Sequence, residues 1–180
     1  FKRKIWEKLK AWKEESDGHT ALLVEGARRI GKSTAVEEFA KKEYETYILI
    51  DFAFASQNIK NLFNDLSDLD SFFRMLQYYT GKELKERKSL IIFDEVQECP
   101  EALNTLKYFN EDANEYHIIA AGSLLGTLLA KPMSYPVGKV NVLEIYPMNF
   151  DEFLNAVDPV LYNYLETTLP NEILKIRHDR

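Results

Sequence analysis

Cysteine is almost missing from these 180 residues, with Cys99 standing alone. A single thiol excludes an intramolecular disulfide and any zinc site built on several thiolates, and it suits a reducing, cytoplasmic setting. With no His or Lys neighbour to lower its pKa, Cys99 reads as a core or loop thiol. His19, His117 and His178 show no ligand spacing and are expected to be structural. No apolar run approaches the roughly 20 residues that span a bilayer, so no membrane partner is expected. The mixed charge of the first residues is unlike a signal peptide. Positive charge is in deficit, 23 Lys and Arg against 29 Asp and Glu, for a net charge of −6. That balance argues against a chain that coats nucleic acid over its whole surface, although a local basic patch stays open. Repeats and low-complexity tracts are lacking too. What remains, 46% hydrophobic and 29% charged residues, is the composition of a folded domain long enough to bury a core. Opening at Phe1 and stopping in a charged segment, the chain reads as a piece of something longer.

The apolar pattern alternates between two periods. Phe1, Ile5, Trp6, Leu9 and Trp12 recur at near-helical spacing and predict an amphipathic helix that packs its Trp face on the body. Its acidic residues Glu7, Glu14 and Glu15 interrupt the positive face that a membrane-binding helix would need. Ser16-Asp17-Gly18 predicts a turn. Short apolar runs at 21–25, 47–52, 89–93 and 116–121 predict buried strands, with 139–146 as a fifth. Helices are expected at 31–43, 58–66 and 70–80. Another is expected from Pro100, with Ala102, Leu103, Leu106 and Phe109 as its apolar stripe. Strands alternating with helices mean βα units and a parallel sheet covered on both faces, hence the α/β class.

Gly26-Ala27-Arg28-Arg29-Ile30-Gly31-Lys32-Ser33 matches G-x-x-x-x-G-K-[ST] in full, after a predicted strand and opening a predicted helix. The chemistry is anion binding: inward-pointing backbone N–H groups and a helix N-terminus cradle phosphate. Lys32 then reaches the β- and γ-phosphates and the Ser33 hydroxyl ligates Mg²⁺, with Thr34 a weaker second hydroxyl. Leu90-Ile91-Ile92-Phe93-Asp94-Glu95 is an apolar strand ending in two acids. Asp94 is placed for the Mg²⁺ shell and Glu95 to polarise an attacking water. Carboxylates beside a phosphate loop repel a nucleotide unless a cation sits between them, which is why the pattern implies Mg²⁺. Asp51 either lines the site or caps a turn. Ser123, at the tip of the next strand, either touches the γ-phosphate or the attacking water, or caps a helix over 124–130. Gln97 either holds the Glu95 carboxylate or senses phosphate, or is a surface residue. Phe72, Phe73, Met75, Leu76, Tyr78 and Tyr79 read as helix core.

Four segments in order carry a family resemblance: 24–34, Phe93 to Gln97, Ala120 to Leu125, and 136–139 followed by 145–153. Over roughly residues 1–155 the chain resembles the additional-strand P-loop ATPases. Within them it resembles an AAA+-like group of archaeal and bacterial ATPases related to the signal-transduction NTPases. The resemblance implies a three-layer P-loop sandwich with a five-stranded parallel sheet of order 5-1-4-3-2. It implies that Lys32 and Ser33 bind phosphate and Mg²⁺, that Asp94 supports the metal, that Glu95 activates water and that Ser123 takes the sensor position. Many relatives carry Arg where this chain has Lys139, which keeps the charge without the planar fork. Relatives also commonly continue into a winged-helix-like segment and a nuclease-like domain. Residues 156–180, including Tyr162, Tyr164 and Leu165, are accordingly expected to begin a lid or a linker to a further C-terminal domain.

The reading is therefore a slow, cytoplasmic, Mg²⁺-dependent ATPase module that couples nucleotide state to a partner domain or a homo-oligomer. The catalytic residues are expected to be Glu95, Lys32 and Ser123, the nucleotide-binding residues 26–34, and the metal ligands Ser33 and Asp94. ATP is favoured over GTP by the resemblance and by the lack of an Asn-Lys-x-Asp motif. A non-hydrolysing nucleotide switch and a P-loop small-molecule kinase are the rival readings. DNA as a partner rests on analogy alone. No arginine stands out as a finger donated between subunits: Arg74, Arg87, Arg177 and Arg180 are scattered.

Overall fold

A computed structural model describes residues 2–26, 31–106, 109, 115–123, 140–145 and 158–168. Five strands, β1 (Ala21–Gly26), β2 (Thr46–Asp51), β3 (Ser89–Asp94), β4 (His117–Gly122) and β5 (Val140–Ile145), form one sheet. Every adjacent pair is parallel. The order across the sheet is β2-β3-β4-β1-β5, which counted from the β5 edge reads 5-1-4-3-2. β3 and β4 are buried along their whole length, as expected of strands covered on both faces.

The two-residue period of each strand divides its side chains between two cores. Leu22 and Val24, Leu90 and Ile92, Ile119 and Ala121 face one side, where they meet α1 (Lys2–Ser16) and α2 (Lys32–Glu43). Ile5, Leu9 and Trp12 of α1 are buried there, and Trp6 packs edge-on against Phe39 at 5.3 Å. The amphipathic opening helix is thus a layer of the fold. Ala21 and Leu23, Ile91 and Phe93, Ile118 and Ala120 face the other side, against α3 (Gln57–Leu62), α4 (Leu69–Thr80) and α5 (Pro100–Asn104). This second core is aromatic. Phe93 meets Phe52, Phe63 and Phe109 with centroids 5.3–5.9 Å apart.

The helix predicted over 58–66 is shorter than its apolar pattern suggested. Ser56 caps α3 by accepting the Ile59 N–H, but α3 ends at Leu62 rather than 66. Beyond it, the Asp65 carboxylate accepts the Ser67 N–H and makes a local turn that competes with helix. The four apolar residues predicted for the Pro100 helix are all buried, although α5 itself is only Pro100–Asn104. The helix Pro159–Thr168 exposes Val160, Leu161 and Tyr164.

Candidate phosphate and cation site

The C-terminal edge of the sheet gathers the motif residues. β1 delivers the chain to Gly26, and Gly31 opens α2 with φ 84°. An L side chain resists that left-handed conformation, which gives the second motif glycine its reason. Among the described residues no side chain caps the start of α2. The N–H groups of its first turn therefore project outward with the positive end of the helix dipole. They open on a cavity of about 160 Å³ lined by Gly31, Lys32, Ser33, Thr34 and Glu95. Lys32 is 3% exposed, so its ammonium stem lies inside the body beside this cavity. Ala27, Arg28, Arg29 and Ile30 lie outside the described residues.

β3 brings the acids. The Ser33 hydroxyl donates to Asp94 Oδ1 at 3.0 Å, joining two motifs 61 positions apart. Asp94 accepts a second bond from the Glu95 N–H at 2.9 Å. Burial pushes the Asp94 carboxyl above its ordinary range. The bonds from Ser33 and Glu95 pull it down, and the charges of Asp51 and Glu95 push it up again. A buried acid with two acidic neighbours is a place where a cation is favourable. Among the described residues no group of three or more His, Cys, Asp or Glu is arranged to hold a metal ion by itself. One hydroxyl and one carboxylate are instead the sparse, hard-oxygen donor set from which Mg²⁺ is held jointly with phosphate oxygens and waters. The residues present fit that ion.

Glu95 follows with φ 49° and ψ 45°, a left-handed conformation in a non-glycine residue, at the rim of the cavity. Strained backbone of this kind persists where the surroundings over-determine it. The 3₁₀ turn Val96–Glu98 then folds Gln97 back. Its Nε2 donates to Glu95 Oε2 at 2.5 Å and lies 3.5 Å from Ser123 Oγ, while the Ser123 N–H donates to Gln97 Oε1 at 3.3 Å. Ser123 is buried at the tip of β4.

Other expectations divide. Asp51 caps a turn, accepting the Ala53 N–H at 3.0 Å, and its charge acts on Asp94, its partner in the β2–β3 register. The helix that Ser123 was alternatively expected to cap, at 124–130, and Lys139 lie outside the described residues, as do Arg177, His178 and Arg180. Arg74 is exposed, and Arg87 pairs with Asp17 at 3.6 Å just before β3, at the opposite end of the sheet from the cavity. Cys99 is buried and burial pushes its thiol up, in keeping with a core residue. His117 is buried, with Tyr44 Oη 2.8 Å from its Nδ1. The pairing of Gln97 with Ser123 had no sequence signal beyond the rule that neighbouring strands end together.

A family model described as an AAA domain matches residues 18–154, most of the chain and every residue of this site. The chain belongs to the AAA domain family. The match agrees with the resemblance to P-loop ATPase domains drawn from the motifs. Solved structures share the fold of this AAA domain. The Walker-type ATPase PABY2304 of Pyrococcus abyssi aligns with a TM-score of 0.57 at 22% identity, over 94% of this chain and 59% of its own. PCH-2 of C. elegans aligns with a TM-score of 0.50 at 15% identity, over 95% of this chain and 49% of its own. The AAA domain described here thus spans less than two thirds of either. No curated protein matches it in sequence.

Proposed function

We propose that this AAA domain binds Mg·ATP at the cavity over α2 and hydrolyses it slowly. One observation carries the reading: the Ser33 hydroxyl touches Asp94 while Glu95, the next residue, lines the same cavity. The first turn of α2 and the Lys32 ammonium bind the triphosphate oxygens. Ser33 and Asp94 would hold Mg²⁺, and the ion would supply positive charge against the phosphates. Glu95 orients a water toward the γ-phosphorus and takes its proton as the new P–O bond forms. The β–γ bridging bond breaks and releases ADP and phosphate. Ser123 supplies a hydroxyl at the γ-phosphate or the attacking water.

We further infer that 1–155 is the ATPase core and that 156–180 begins a lid or linker. The exposed Val160, Leu161 and Tyr164 support this as a face meant to be covered by a further domain or a second copy.

Isothermal titration and phosphate release test the site together. Glu95→Gln is expected to keep ATP affinity and lose turnover. Lys32→Ala is expected to weaken ATP binding about 10- to 100-fold, the worth of a charge-assisted bond. Unchanged turnover in the first would remove Glu95 from its role, and unchanged affinity in the second would remove the phosphate site.

A further inference from the structure

Gln97 is committed at both ends. Its NH₂ group donates to the Glu95 carboxylate and lies 3.5 Å from Ser123 Oγ; its carbonyl accepts the Ser123 N–H. The chemistry dictates that orientation. Reversed, the amide would set its oxygen against a carboxylate oxygen and its NH₂ against a backbone N–H. No other side chain of this length offers a neutral donor and acceptor together. Glu would repel Glu95, and Lys would leave the Ser123 N–H without an acceptor.

We propose that Gln97 is a positioning residue for Glu95: its amide ties the carboxylate that follows β3 to the tip of β4 and so holds it toward the cavity. The inference rests on the hydrolytic reading above and adds to it the group that fixes the water-activating residue. Three features argue for it. Glu95 is a flexible side chain on a left-handed backbone, and without an outside partner its carboxylate would sample several rotamers. The donor is neutral, so it orients the carboxylate without neutralising the charge needed to take a proton. The second partner, Ser123, directly follows the adjacent strand, whose register with β3 is set by the main-chain ladder. The carboxylate is therefore referenced to the sheet rather than to the loop that bears it.

The backbone of Gln97 does not depend on its amide. Val96 is buried, the Glu98 N–H bonds to the Glu95 carbonyl at 3.0 Å and the Cys99 N–H to the Val96 carbonyl at 3.0 Å. Substitution of Gln97 should leave the turn in place, so its effect can be read at the active site.

The test uses Gln97→Met, which keeps the bulk and removes both polar ends, in the wild-type and Glu95→Gln backgrounds. Expected is a fall in kcat of about 10- to 100-fold, as for a misplaced catalytic group, with ATP affinity unchanged within twofold. In the Glu95→Gln background the same substitution is expected to change the residual rate by less than twofold, because the residue it positions is already disabled. Wild-type turnover in Gln97→Met would overturn the inference. So would a parallel loss of ATP affinity, or a full further loss on Glu95→Gln, either of which marks a structural role. Should the wild-type protein itself show no Glu95-dependent phosphate release, the hydrolytic reading falls and takes this inference with it. That result differs from an active wild type with an indifferent Gln97.

Discussion

Ser33 and Asp94 define the site at the scale of single residues, because a hydroxyl and a carboxylate 61 positions apart share one hydrogen bond. A second polar group placed with equal care lies at the far end of β4. His117 opens that strand, 3% exposed, with Tyr44 at its Nδ1 and the Asp17 carboxylate 3.5 Å from its Nε2. Burial is the largest influence and holds the imidazole below its ordinary 6.5, against the pull of Asp17, while Lys13 and Arg87 depress it further. The unfolded chain then binds a proton near pH 6.5 that the folded chain refuses. Folding stability is full above that pH and falls as the pH drops through the window below it. Urea unfolding at pH 7.5 and 5.5 checks the sign. Wild type should lose more stability on acidification than His117→Gln, and an equal loss in both would contradict the assignment.

Helix ends and strand ends position everything at the scale of elements. α2 starts on a left-handed glycine without a side-chain cap, which leaves its N-terminus open toward the cavity. α4 does the opposite. Asp68 caps its start by accepting the Ser71 N–H, and Gly81 closes its end with φ 66° and an N–H bonded to the Gln77 carbonyl. Nothing lies within 4 Å of a Cβ built on Gly81. Gly81→Ala should therefore cost only the left-handed backbone penalty, about 1 kcal/mol, and Gly81→Asn less. Denaturant midpoints will rank the three, and a loss well beyond that would mean α4 is anchored by something other than its cap. At the end of β3, a left-handed Glu95 and a single 3₁₀ turn send the chain back over the strand tips. The short turn thereby becomes part of the site.

At the scale of the whole molecule, the described sheet and helices form three layers, with the cavity between α2 and the end of β3. A ligand that bridges those two elements binds only the folded state, and so should stabilise it. At 100 times its Kd, Mg·ATP should add about 2.7 kcal/mol. For a domain of this size that is roughly 5 to 10 °C in Tm. With EDTA the increment should shrink, because Ser33 and Asp94 then face the phosphates without the cation. No shift with Mg·ATP, or an equal shift with EDTA, would count against the shared site.

Much of this was legible in the chain itself. Strand and helix periods, the glycines and Lys of 26–33, and two acids after an apolar strand are local patterns. Each follows from what its own backbone can adopt or what its side chains must bury, so α/β class and candidate residues could be read off directly. Local pattern could not decide contacts between segments distant in the chain. The distance from Ser33 to Asp94, Asp51 turning to its own loop, and the shared grip of Gln97 on Glu95 and Ser123 all depend on which strands lie side by side and in what register. That is set by how two cores pack on opposite faces of one sheet, a property of the folded whole. The sequence alone determined which groups were available to the candidate phosphate site. Tertiary structure alone decided which of them meet, because hydrogen bonds a few ångströms long are made between neighbours in space, whatever their separation along the chain.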